Sequence, residues 1–143
     1  MGKTFTAVRL YDPAFSREGV DVALLERFGE TRDEKLLALR PGMVPARFHL
    51  RRISHKMWRW VQRGEGEFEI QERAFAASVI RVEHMPDELG VPRDWKPAKP
   101  SDDSGNDRAL TEEEMELFDP ADWYEIGDVA YLASFFRRQG VRR

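Results

Sequence analysis

The sequence predicts an α+β fold: a small antiparallel sheet with several packed helices and a helix-dominated C-terminal half. Three observations carry that expectation. Phe48 and Leu50 alternate with Arg47, His49 and Arg51, the period-two pattern of a half-buried strand. Ser54 then stands at an N-cap position, with Met57, Trp58 and Val61 at helical spacing beyond it. Finally, Asp119-Pro120 reads as N-cap and first helical residue of a segment in which Trp123, Ile126, Ala130 and Ala133 form an apolar face.

The other elements follow in order. Thr4–Leu10 alternates as a strand, and pairing it with Arg47–Ile53 is the economical arrangement. Asp12-Pro13 closes it, because Pro fixes its own φ and pushes the preceding residue out of the helical region. Asp21 caps a helix expected to run through Phe28, with Val22, Leu25 and Phe28 on one face and Gly29 ending it. Leu36, Leu37 and Leu39 form a short apolar turn before the Pro41-Gly42 turn signal. After the aromatic helix, Gly64 and Gly66 break the pattern, and 67–81 reads as one long helix. Glu67, Glu69 and Glu72 suit the positive end of its dipole. Ala74, Ala76, Ala77 and Ser78 would let a neighbouring helix approach closely. Pro86 ends that segment, and Leu89, Val91 and Trp95 read as an irregular stretch.

Lys96–Arg108 is rich in Pro, Ser, Asp and Gly and has almost no apolar residue to offset the entropy of ordering. The domain reading is therefore an α+β core over 1–95, a flexible linker or loop over 96–109, and a C-terminal helical unit over 110–143 docked on the core. Thr111 and Glu114 form a capping box at the start of a short helix carrying Met115, Leu117 and Phe118. Gly127 lies inside the last helix, where it costs up to ~1 kcal/mol against Ala. A glycine there points to close contact with another backbone. Gly140 is read as the end of this helix, leaving a basic tail at Val141-Arg142-Arg143.

Composition narrows the function classes. With 143 residues, one compact domain or one domain plus an appendage is expected. A net charge of −3 is too small to argue for general nucleic-acid binding. The chain has no cysteine, which excludes disulfides and thiolate chemistry. No apolar run approaches the ~20 residues of a transmembrane helix. The start, MGKTFTAVRL, lacks the apolar stretch of a secretory signal. Gly2 and Thr6 fit the loose myristoylation pattern, which matches too many unrelated proteins to weigh. A soluble intracellular protein without membrane contact is expected.

No catalytic, cofactor or metal constellation emerges. His49, His55 and His84 lack the tight spacing or cysteine partners usual in zinc sites. Ser54 beside His55 is better explained as a helix cap than as half of a nucleophilic pair. The carboxylates of Glu67/Glu69 and Glu112–Glu114 lie at helix starts, where solvated acids are ordinary. Gly64-Glu-Gly66 lacks the length and the lysine of a phosphate loop.

Charge is uneven along the chain. Between Leu36 and Gly64 every charged residue is basic: Arg40, Arg47, Arg51, Arg52, Lys56, Arg59 and Arg63. Between Ser101 and Asp128 every charge but Arg108 is acidic. The two blocks are opposite in sign and could face each other, within one fold or between copies. The candidate partner-binding residues are the basic–aromatic group Arg51, Arg52, Lys56, Arg59 and Trp60, with Arg137 and Arg138 at the C-terminal helix end. Basic groups neutralise phosphates and aromatics stack on bases, so a nucleic-acid-binding regulator using 51–63 is the alternative. Because Trp and Arg are also enriched at protein interfaces, and the whole chain is acidic, a protein partner is preferred.

The stretch KLLALRPGMVPARFHLRRIS resembles the Pro-rich lead and F-x-L-R-x-[IL]-[ST] strand of a family of small structural and assembly proteins of tailed bacteriophages. The helix start at Leu110-Thr111-Glu112 and the closing WYEIGDVAYLASFF are similar to the same family, the latter through Glu125, Ile126, Gly127 and Ser134. The resemblance covers roughly the last three quarters of the chain, leaving 85–108 unmatched. It implies a non-enzymatic virion or tail-assembly role without cofactors. Tail assembly chaperone-like and minor virion proteins are the neighbouring types. The implied partners are other phage structural proteins or copies of this chain, in the host cytoplasm during assembly and in the virion.

Overall fold

Strand β2 (Arg47–Arg51) lies inside a four-stranded antiparallel sheet whose order follows the chain: β1 (Thr4–Ala7), β2, β3 (Val79–Pro86) and β4 (Pro92–Trp95). The computed structural model describes residues 4–99 and 107–138. β1 (Thr4–Ala7) pairs with β2 in the register Thr4 to Arg51 and Ala7 to Phe48, which is the expected pairing over a shorter span. Phe48 and Leu50 point into the core, with Phe5 and Ala7 beside them. Thr4 and Thr6 are exposed, so β1 also has the period-two alternation of a strand with one buried face.

The helices are α1 (Val22–Thr31), α2 (His55–Gln62), α3 (Glu67–Ser78), α4 (Glu112–Met115) and α5 (Pro120–Arg138). Four cap signals hold. The side chains of Asp21, Ser54 and Thr111 accept from the amides of Leu24, Met57 and Glu114, and Thr111 with Glu114 completes the capping box. Asp119 Oδ1 accepts from Ala121 N at 2.8 Å at the start of α5.

Three boundaries differ from expectation. The segment read as one helix over 67–81 stops at Ser78, and Val79–Pro86 is strand β3. Val79, Ile80 and Val82 are β-branched, and Val82 faces inward between outward Arg81 and Glu83, so sheet pairing outweighs the helical pattern. The stretch read as irregular contains β4 (Pro92–Trp95) at the sheet edge, where a leading proline removes no needed ladder bond. The turn between β3 and β4 is set by Asp87, whose Oδ1 accepts from the Leu89 and Val91 amides. Helix α1 passes through Gly29 and ends at Arg32 in the left-handed region, φ 54°. Of the expected face, Phe28 is buried and Leu25 half-buried, while Val22 at the first turn is 70% exposed.

One core joins both halves of the chain. Phe48, Leu50, Phe75, Val79 and Val82 share it with Leu110, Met115, Phe118, Ile126 and Ala130. Phe118 is the hub, with ring centroids 5.3 Å from Phe75, 5.2 Å from Trp95 and 6.0 Å from Phe48. A second cluster seats α2 through Ile53, Met57 and Val61 on Ala74 and Ala77, and a third packs Val8, Phe15, Phe28 and Leu37. Of the segment read as a linker, Ala98 N donates to Glu114 and Ala109 N to the Ala76 carbonyl, which also accepts from Leu110 N just beyond it. Residues 100–106 lie outside the described residues, as do the expected stop at Gly140 and the basic tail.

The expected close approach at Gly127 is present. A Cβ built there would stand 2.1 Å from the carbonyl oxygen of Gln71 and 3.3 Å from Phe75 N. Helices α3 and α5 therefore meet backbone to backbone. Small residues at such a seam let helices come closer than the usual 8–10 Å.

Candidate functional site

The helical repeat divides α2 into three faces. Met57 and Val61, four residues apart, face the core. Trp58 turns to one flank and stacks on Tyr131, centroids 5.0 Å apart and planes 19° from parallel. Trp60 turns to the other flank and forms one wall of an open cleft of about 640 Å³. Lys56, Arg59 and Arg63 follow at i, i+3 and i+7, a single stripe on the outward face, and all three are exposed. Lys56 is also four residues from Trp60, so this basic stripe adjoins the cleft wall.

The cleft lies between α2, α3, α4 and the start of α5. Its apolar floor is Trp60, Phe68, Ala76, Met115 and Trp123. Phe68 is 65% exposed and leans on Tyr124 with centroids 4.8 Å apart. Trp123 is fixed by its indole N–H, which donates to the Met115 carbonyl at 3.1 Å. Glu65, Glu69, Glu72, Glu112 and Glu116 form the rim. Two arginines also reach in, and both are committed. Arg73 donates to the Trp60 carbonyl at 2.7 Å and to Glu69 at 2.9 Å, with its guanidinium 5.1 Å from the Trp60 ring centroid. Arg108 donates to the Leu110 carbonyl and lies 5.3 Å from the same centroid. Among the described residues, Glu65, Glu72, Glu112 and Glu116 make no ion pair, and neither do Lys56, Arg59 and Arg63.

The sequence-predicted group is thus split. Arg51 is buried at 6% exposure, and its guanidinium donates to the carbonyls of Ala77 and Asp107. It closes the C-terminal end of α3. Arg52 is half-buried, Lys56 and Arg59 share the outer stripe, and Trp60 faces the cleft. The side chains of Arg137 and Arg138 lie outside the described residues. Phe68, Trp123 and the carboxylate rim were missed, although Phe68 between Glu67 and Glu69 on a predicted helix already signalled an aromatic among acids.

Among the described residues the two charge blocks do not ion-pair with each other within the chain. Asp122 and Glu125, from the acidic block, pair with N-terminal arginines: Arg9 with Asp122 at 3.3 Å and Arg32 with Glu125 at 2.5 Å. Asp12 and Arg9 complete the network at 2.7 Å. Burial pushes the Asp122 carboxyl above its usual range, outweighing the pull of Arg9. Burial also acts against the Arg9 charge, but Asp122 and Asp12 more than offset it, so its pKa rises. From the basic block, Arg47 pairs with Glu34 at 2.8 Å.

The residues of the two motifs at 35–54 and 123–136 are held inside this frame. Ser54 caps α2, and Ser134 Oγ accepts from Ile53 N at 3.2 Å, so the two motifs touch. Glu125 accepts from Leu10 N at 2.6 Å and Ile126 is fully buried.

The histidines are dispersed. His49 Nε2 lies 2.5 Å from Glu83, whose carboxyl this contact holds below its usual range. His55 is exposed on the first turn of α2, and His84 sits at φ 59° in an irregular stretch of β3. Among the described residues no group of His, Asp and Glu converges as metal ligands would, and no helix is long and apolar enough to cross a membrane. In comparisons with known proteins, no family model, no curated protein and no solved structure matched the chain significantly.

Proposed function

We propose that this protein is a non-enzymatic bacteriophage virion or tail-assembly component that acts through protein–protein contacts. The observation that supports a contact role is the cleft. Its aromatic floor, with Phe68 exposed, sits within a rim whose Glu65, Glu72, Glu112 and Glu116 make no ion pair among the described residues, next to a basic stripe that makes none either. An apolar centre within a charged border is the usual anatomy of a protein interface. The assignment to phage particles rests on the Phe48–Ser54 and Glu125–Ser134 patterns. The nucleic-acid reading is less well supported, since Arg51 is buried and Trp60 stands among carboxylates that repel phosphate.

The test is to follow the chain through particle assembly by mass spectrometry and cryo-EM of virions and assembly intermediates. The expected result is stoichiometric co-purification with one or the other. Absence from both overturns the assignment.

A further inference from the structure

We infer that the cleft and the α2 stripe are two halves of one self-complementary surface through which two copies of this chain form a two-fold dimer. This rests on the protein-contact reading above and names the partner. The first support is charge. Lys56, Arg59 and Arg63 carry positive charge with no acidic partner among the described residues, while Glu65, Glu112 and Glu116 carry negative charge with no basic one. By contrast, where α5 meets the N-terminal segment Arg9 pairs with Asp12 and Asp122, and Arg32 with Glu125.

The second support is position. The stripe and the cleft adjoin along α2, with Trp60 at their boundary. A two-fold axis near that boundary sets the stripe of each copy against the rim of the other, satisfying both contacts at once. In a two-fold contact, residue i meets j while j meets i, which is the commonest closed symmetry among oligomers. The third support is the floor. Phe68 at 65% exposure would be covered in the pair, so apolar burial supplies stability while the charges fix orientation.

The experiment is sedimentation velocity of the full chain with two charge-reversed variants, Lys56→Glu/Arg59→Glu/Arg63→Glu and Glu65→Lys/Glu112→Lys/Glu116→Lys. Wild type should have the mass of two chains at ~50 mM salt and of one chain near ~1 M, where the screening length falls to about 3 Å. Each variant alone should remain a single chain. Mixed one to one, they should form a heterodimer, because both contacts are again complementary. The salt series on wild type needs no variant to fold. Wild type that is a single chain at low salt, a dimer indifferent to salt and reversal, a mixture that stays apart, or particles larger than two chains would each overturn the inference. A single-chain wild type that still co-purifies with phage particles sinks the dimer alone. A salt-sensitive dimer absent from particles and intermediates sinks the phage assignment alone.

Discussion

Two groups of charges on this protein are used in different ways. Where α5 meets the N-terminal segment, Asp122, Glu125 and Asp12 are saturated: Arg9 and Arg32 bind them, and the amides of Leu10, Ala14 and Ala46 donate to them. Around α2 and the cleft, Arg73 pairs with Glu69, while Lys56, Arg59, Arg63, Glu65, Glu72, Glu112 and Glu116 make no ion pair among the described residues. The first group lies on the boundary between chain segments that must be held in one arrangement. The second lies on a surface that folding leaves open. Charges withdrawn from water require partners, and charges left in water do not, so the contrast separates residues that make the fold from residues free to make contacts.

The largest effect should come from the seam beneath both groups. Gly127→Ala gains up to ~1 kcal/mol of helix propensity in isolation. Here its Cβ would meet the Gln71 carbonyl oxygen, a backbone atom that cannot turn aside. A net loss of about 3 kcal/mol is expected by denaturant unfolding, at the upper end of overpacking costs. A stabilised variant would refute the backbone contact. Next in size, Glu125→Ala leaves the Leu10 amide without its acceptor and the Arg32 guanidinium without its carboxylate, keeping the Val8 carbonyl. Hydrogen bonds to charged groups contribute about 1.5–3 kcal/mol, and a loss in that range is expected. A change below ~0.5 kcal/mol would place this pair among surface pairs of little weight.

Smaller still, Thr111→Ala removes half of the capping box and should cost about 1 kcal/mol, seen as a lower Tm. The acid side of the stability curve separates the groups again. Glu114 is partly withdrawn from water, yet the Thr111 and Ala98 amides hold its carboxyl below the usual range. Its depressed folded pKa means the native state binds fewer protons. The contribution is complete above the ordinary carboxylate pKa of about 4.3 and is lost as pH falls through the folded value. Asp122 has the opposite sign: its raised folded pKa gives a contribution present below the ordinary Asp pKa of about 3.9 and lost as pH rises through the folded value. Glu114→Gln should therefore flatten the acid limb in a urea series from pH 6 to 3. An unchanged limb would contradict this role for the carboxylate.

Residues acting locally were the legible ones. Caps at Asp21, Ser54 and Thr111 depend on neighbours three residues away, and the β1–β2 pairing follows from two alternating patterns. Gly127 was legible because a glycine costs stability inside a helix unless something requires it. The α3–β3 boundary was not, since Ala74–Ser78 and Val79–Val82 form one apolar run whose period changes without a Gly or Pro between them. The cleft was hidden for a different reason. Trp60, Phe68 and Trp123 come from three helices, and only tertiary packing brings them to one wall. Arg51 was misread because sequence shows a charge but not the Ala77 and Asp107 carbonyls that engage it.

One variant tests the separation of fold charges from contact charges most directly: Lys56→Glu/Arg59→Glu/Arg63→Glu, measured for both unfolding free energy and mass in solution. The expected result is stability within ~0.5 kcal/mol of wild type, as for surface substitutions away from special features, together with the mass of a single chain at low salt. A loss of several kcal/mol would mean that the stripe holds the fold, and an unaltered dimer mass would mean that it holds no partner.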